Sequence, residues 1–136
     1  MSKSSVRYIV DDVDAAIEFY CGPLDFELQM HPDPAFAMLT RGDLRLVLVS
    51  PVGPEHPGGG SRPMPDGTKQ QPGGWNRIML QVADLEAVVE ELRPQEVRFR
   101  NEITTGVGTK QILVQDPSGN VVELFEPIRR EARLNG

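Results

Sequence analysis

The apolar positions of this chain follow one pattern twice. Val6, Tyr8 and Val10 alternate with polar residues, and Val13, Ala16, Ile17 and Tyr20 then recur at helical spacing. The same order returns as Ile78, Leu80 and Val82, followed by Leu85, Val88, Val89 and Leu92, with every position 72 residues on, from Val6 to Ile78 and from Tyr20 to Leu92. Alternation predicts a strand with one face in a core. The i, i+3, i+4, i+7 spacing predicts a helix laid on that face. Asp12 and Asp84 stand where a side-chain oxygen can cap the free amides of the first helical turn. Gly22-Pro23 and Pro94 are expected to stop the two helices.

Three strand-like runs follow each helix. In the first copy they are 26–31, 36–41 and 44–50, separated by Pro32-Asp33-Pro34 and Gly42-Asp43. In the second they are 97–103, 110–115 and 121–126, with the turn former Asp116-Pro117-Ser118-Gly119-Asn120 before the last. The unit β-α-β-β-β is thus written twice, an α+β chain expected to fold as a single domain over 1–136. Repeat one covers about 5–51, a Gly- and Pro-rich loop 52–74, repeat two about 75–127 and a polar tail 128–136. A loop of that length without periodicity is uncommon in a compact domain and is usually functional or mobile. Gly106-Val107-Gly108 reads as a hairpin turn, without the strand-to-helix context of a phosphate cradle.

Composition narrows the functional classes. The 136 residues suit one domain, and no apolar run approaches a membrane span. A start without a signal-peptide apolar region predicts a cytoplasmic protein. The net charge of −6 disfavours nucleic acid and anionic lipid as partners. The single cysteine, Cys21, cannot form an internal disulfide. Its place beside Tyr20 and Gly22-Pro23 suits a buried helix end better than a nucleophile. Met30, Met38, Met64 and Met79 could line an adaptable pocket, but scattered methionines usually belong to a core.

The tandem repeat resembles the vicinal oxygen chelate superfamily, which contains glyoxalase I, extradiol dioxygenases, fosfomycin-resistance enzymes and bleomycin-resistance binding proteins. Val10-Asp11-Asp12-Val13-Asp14-Ala15-Ala16-Ile17-Glu18-Phe19-Tyr20 is similar to the family's first strand–helix junction. Asp116-Pro117-Ser118-Gly119-Asn120-Val121-Val122-Glu123-Leu124-Phe125-Glu126-Pro127 is similar to its closing hairpin. The resemblance covers about 5–127 and implies curved mixed sheets that form a cleft, commonly in a homodimer. It also implies four metal-ligand positions, at the start of the first strand and the middle of the last strand of each repeat. Here those positions hold Ser5, Val47, Arg77 and Glu123. Valine donates nothing, and a guanidinium repels a cation. His31, at a strand end, and His56, in the loop, are expected to be exposed rather than to restore the site. No metal or other cofactor is therefore expected.

Strand alternation turns Ser5, Arg7, Ile9, Met79 and Gln81 toward the cleft with Arg77. Arg45, Val47 and Val49 join them from repeat one, and Val121, Glu123 and Phe125 from repeat two. Arg77 and Glu123 are expected to form an ion pair where relatives hold an ion. Two readings stand: Arg77 binds an acidic or carbonyl group of a ligand while Glu123 holds it in place, or the pair merely plugs the old site. Glu123 as a general base is a third, weakened by the guanidinium beside it. Arg7 and Arg45 are further ligand contacts or solvent-paired cations. Trp75 either stacks on a planar ligand or pins the loop to the sheet edge.

The function this predicts is metal-independent binding of a small molecule, as in the bleomycin-resistance proteins, sequestering an antibiotic or a toxic metabolite. The alternative is a lyase- or isomerase-type enzyme of the same superfamily that uses Glu123 as acid/base, with or without a metal.

Overall fold

The computed structural model describes residues 4–51, 64–130 and 133–134. It contains nine strands and two α-helices in two compact units. The first unit comprises the described residues up to Gly74 together with Pro117–Asn120, and the second comprises Trp75–Asp116 and the residues from Val121 onward.

In the first unit the strands are β1 (Ser4–Ile9), β2 (Glu27–Asp33), β3 (Phe36–Arg41) and β4 (Leu44–Val49), with helix α1 (Val13–Cys21) between β1 and β2. They form one sheet in the order β1-β4-β3-β2. β1 runs parallel to β4, with Arg7 opposite Val47, and the remaining pairs are antiparallel. Val10, Val13, Ala16 and Tyr20 are buried with Leu39, Leu46 and Leu48, so the alternating face of β1 and the apolar stripe of α1 share one core. Tyr20 meets Phe19 and Phe26 edge to face, the arrangement that aromatic quadrupoles prefer. The Asp12 carboxylate accepts the Ala15 amide at 3.2 Å and caps α1. The turn at 117–120 is tied to this unit by its side chains. Ser118 Oγ accepts the Asp11 amide, and Asn120 donates to the Ile9 carbonyl while accepting the Gly73 amide.

The second unit repeats the plan with β5 (Ile78–Gln81), α2 (Leu85–Leu92), β6 (Arg98–Phe99), β7 (Thr104–Thr105), β8 (Thr109–Gln115) and β9 (Val121–Pro127). The order is β5-β9-β8-β6, with β7 also pairing β8. β5 is parallel to β9, with Met79 opposite Glu123. Arg7 opposite Val47 is the equivalent pair in the first unit, so Val47 and Glu123 occupy the same place in their repeats. Asp84 caps α2 through the Ala87 amide at 3.1 Å. The core here is Ile78, Leu80, Leu85, Val89, Leu92, Ile112 and Leu124.

Three local expectations need correction. Of the expected strand over 97–103 only Arg98–Phe99 forms, and Thr104–Thr105 pairs separately beyond it, because the Asn101 side chain, in place of a ladder carbonyl, accepts the Leu113 amide. β2 runs on through Pro32 to Asp33, which an edge strand tolerates because no partner requires proline's missing amide. Past Leu92 the chain continues as a 3-10 turn over Arg93–Gln95 that includes Pro94. The Gly106-Val107-Gly108 hairpin forms between β7 and β8 as expected, closed by the Gly106 amide on the Thr109 carbonyl. Among the described residues no helix is long and apolar enough to cross a membrane.

Each cap satisfies an amide that otherwise lacks an intrahelical partner. Asp12→Ala and Asp84→Ala should each lower stability by about 1 kcal/mol in urea unfolding, and Asn at either position should restore most of that loss.

Candidate functional site

The parallel register of β5 and β9 creates the most unusual polar feature of the second unit. Met79 and Leu113 both pair with Glu123, from opposite sides. Paired residues share a sheet face, so Glu123 is flanked across the strands by apolar side chains. Val121 and Phe125, two residues away along β9 on the same face, are buried as well. The Glu123 side chain is only 4% exposed. A carboxylate in such a place is costly unless it is paired.

Arg77 supplies the pairing. It stands two residues before Met79 and so returns to the same face. Its Nε and Nη2 donate to one oxygen, Glu123 Oε1, at 3.0 and 2.9 Å. Its Nη1 donates to the Trp75 carbonyl at 3.3 Å. Glu123 Oε2 is buried and has no hydrogen-bond partner among the described residues. The second oxygen of the carboxylate therefore remains an open acceptor, although buried acceptors are ordinarily satisfied.

Trp75 extends the cluster. Its indole is 66% exposed and lies under the Arg100 guanidinium, 4.8 Å from the ring centroid. Met79, beside Glu123, is also exposed. Arg98 pairs with Gln115 and so shares the sheet face of Leu113 and Glu123. Arg77 thus contacts Glu123, Arg98 shares its sheet face and Arg100 covers Trp75, in a chain whose net charge is −6. Glu123, Arg77, Trp75 and Met79 are brought together here. Arg98 and Arg100 went unnoticed in the sequence, where they are two of many surface arginines. Only the register to β8 turns Arg98 to this face.

The remaining candidates belong to the first unit. Arg45 lines an open cavity of about 680 Å³ with Arg41, Asp25, Glu27, Met38 and Thr40. Burial pushes the Arg41 guanidinium below its ordinary pKa, and the charge of Asp25 partly offsets this. Arg77 and Glu123 do not line this cavity. The Glu123 cluster differs from this cavity in holding a deeply buried acceptor without a partner among the described residues, whereas the cavity is open and lined by charged groups. Ser5 and Arg7 are exposed on β1, and Val47 is buried on β4.

Other chemistry-bearing residues lie apart from this cluster. His31 lies on β2, exposed, with Nε2 3.7 Å from Asp14 Oδ1. His56 lies outside the described residues. Cys21 ends α1 half-buried, and burial raises its thiol pKa, which keeps it protonated and a poor nucleophile. Met30, Met64 and Met79 are exposed, so the expectation that the methionines belong to the core fails for those three. Asp84, Glu86 and Glu126 converge closely enough to suggest a cation site. The Lys110 ammonium already lies there, 2.9 Å from both Glu86 oxygens and 3.6 Å from Glu126. The hydrogen bond with Glu86 raises the Lys110 pKa and lowers that of Glu86.

A metal at Glu123, as the resemblance implies for metal-using relatives, does not suit the donors in this unit. One oxygen of a single carboxylate is held by two guanidinium nitrogens, whose fixed positive charge opposes a cation at short range. No other carboxylate, histidine or cysteine occupies the cross-strand positions around it.

A model of the Glyoxalase/Bleomycin resistance protein/Dioxygenase superfamily matches residues 4–124. No curated protein sequence matches. Among solved structures, a superfamily member from Sphaerobacter thermophilus is 25% identical, with a TM-score of 0.71 over 93% of this chain and 97% of that one. TnmS3, an antibiotic binding protein from Streptomyces sp. CB03234, is 22% identical, with a TM-score of 0.69 over 93% and 96%. A lactoylglutathione lyase from Agrobacterium tumefaciens is 20% identical, with a TM-score of 0.69 over 90% of each chain.

Breaking the pair from one side should cost more than removing it whole. Arg77→Leu leaves a buried carboxylate without its cation and should destabilise the protein by about 2–3 kcal/mol. The double variant Arg77→Leu/Glu123→Leu should recover most of that loss, as read by a double-mutant cycle in urea.

Proposed function

We propose that this chain, which belongs to the Glyoxalase/Bleomycin resistance protein/Dioxygenase superfamily, binds and sequesters a small molecule without a metal, at the sheet face built by Arg77, Glu123, Trp75 and Met79. The observation that carries this reading is Glu123 Oε2, a buried acceptor left open beside a fully engaged Oε1. Leaving such an acceptor unsatisfied costs free energy that a donor-bearing ligand recovers on binding. The engaged donors of Arg77 give it the task of holding Glu123 in place, so the carboxylate is the recognition group. The similarity in fold to an antibiotic binding protein supports a ligand of that kind.

In this proposal the protein acts in the cytoplasm as a homodimer. Ser5, Arg7, Arg45 and Val47 of the first unit are further ligand contacts in this proposal. Leu28 and Met30, exposed on the edge strand β2, favour a second copy as cover for that strand.

A second reading, a metal-independent lyase or isomerase, rests on the same open oxygen, because a general acid/base also needs a free position on its carboxylate. Glu123→Gln separates the two. It should abolish turnover if the chain is an enzyme, and only weaken saturable binding if it sequesters.

Protein dialysed against a strong chelator should still bind ligands from a panel of aromatic antibiotics. Saturation at 100 times Kd should add about 2.7 kcal/mol of stability, read as a rise in Tm. Arg77→Leu should weaken that binding by about tenfold. Loss of binding on chelation, restored by a stoichiometric divalent ion, would contradict the proposal, as would steady conversion of the ligand to product.

A further inference from the structure

Resting on the binding function proposed above, we infer the chemical class of the ligand from the cluster itself: a planar hydroxyaromatic anion whose hydroxyl donates to Glu123 Oε2. Three features of the second unit define it. The first is the open oxygen. Oε1 is occupied by two nitrogens of Arg77, so the partner of Oε2 must be a donor brought by the ligand. An O–H to carboxylate hydrogen bond is among the shortest and strongest available to such a group.

The second feature is charge. Arg77 holds Glu123, Arg98 shares its sheet face, and Arg100 lies over Trp75. An ammonium ligand would satisfy Oε2 but would face an excess of guanidinium charge. A ligand with its hydroxyl at Glu123 and a negative group directed to Arg98 and Arg100 meets both conditions. The third is shape. Trp75 presents an indole that is 66% exposed, and the exposed thioether of Met79 lies beside Glu123. These are an aromatic plate and a soft apolar wall, which favour a flat, polarisable ring over an aliphatic chain.

The chain has one tryptophan, so its indole N–H gives a single cross-peak in an amide correlation spectrum and reports on this site alone. The full-length protein would be titrated with 6-hydroxy-2-naphthoate, with its methyl ether 6-methoxy-2-naphthoate, and with (6-hydroxynaphthalen-2-yl)methylammonium. The hydroxynaphthoate should shift the Trp75 signal saturably and bind at least about tenfold more tightly than either of the others, a difference of about 1.4 kcal/mol. In Glu123→Gln, Arg77 would draw the amide oxygen and leave the NH2 group toward the ligand. The preference for hydroxyl over ether should then fall to parity or reverse. Arg100→Gln should weaken both naphthoates and leave their ratio unchanged, which keeps the inference testable if the Glu123 variant fails to fold.

Equal binding of hydroxyl and ether, or tighter binding of the ammonium, would overturn the assigned class. So would the absence of any shift while the antibiotic panel still binds, and in that case the proposed binding function would stand. If neither the naphthalene probes nor the panel bind, the binding function itself fails.

Discussion

The structure depends most on how a carboxylate is kept in the apolar strand β9. Glu123 lies between Met79 and Leu113, where an unpaired charge is expensive, and Arg77 reaches it only because β5 and β9 are parallel in one particular register. A slip of one residue would turn both side chains to the other face. Pairing is nonetheless incomplete, since both guanidinium contacts fall on the same oxygen. The pair thus leaves one buried oxygen of Glu123 without a partner among the described residues.

The two repeats use the same backbone for different ends. Asp12 and Asp84 cap equivalent helices, and Arg7 opposite Val47 has the register of Met79 opposite Glu123. At the equivalent central position the first unit carries a buried valine and the second a buried glutamate. The first unit instead collects Arg41, Arg45, Asp25 and Glu27 around an open cavity, where solvent screens them. The same scaffold thus holds one buried carboxylate paired with a partly exposed guanidinium and one open, mixed-charge basin.

Much of this was legible in the sequence because it is set by local rules. The period-two and helical spacings and the capping aspartates each need only near neighbours, and their recurrence 72 residues on gave the β-α-β-β-β plan, whereas the Arg77–Glu123 pair followed from the ligand positions that the family resemblance implies. What was missed depends on contacts across the sheet. Asn101 breaks an expected strand because its side chain replaces a carbonyl for Leu113, a partner twelve residues away. Pro32 is admitted because β2 lies at an edge, which strand order alone decides. Trp75 is exposed, and Arg100 covers it through a contact that no spacing announces. The open state of Oε2 is likewise invisible in sequence, since it depends on which oxygen the guanidinium takes.

The central claim is that Glu123 recognises a ligand through the oxygen that Arg77 leaves open. A crystal structure of the protein with its tightest-binding ligand tests this most directly. The account predicts a ligand donor about 2.5–3.0 Å from Glu123 Oε2, with Arg77 still on Oε1. A divalent cation bound to Glu123, or a ligand seated elsewhere with Oε2 still bare, would contradict it.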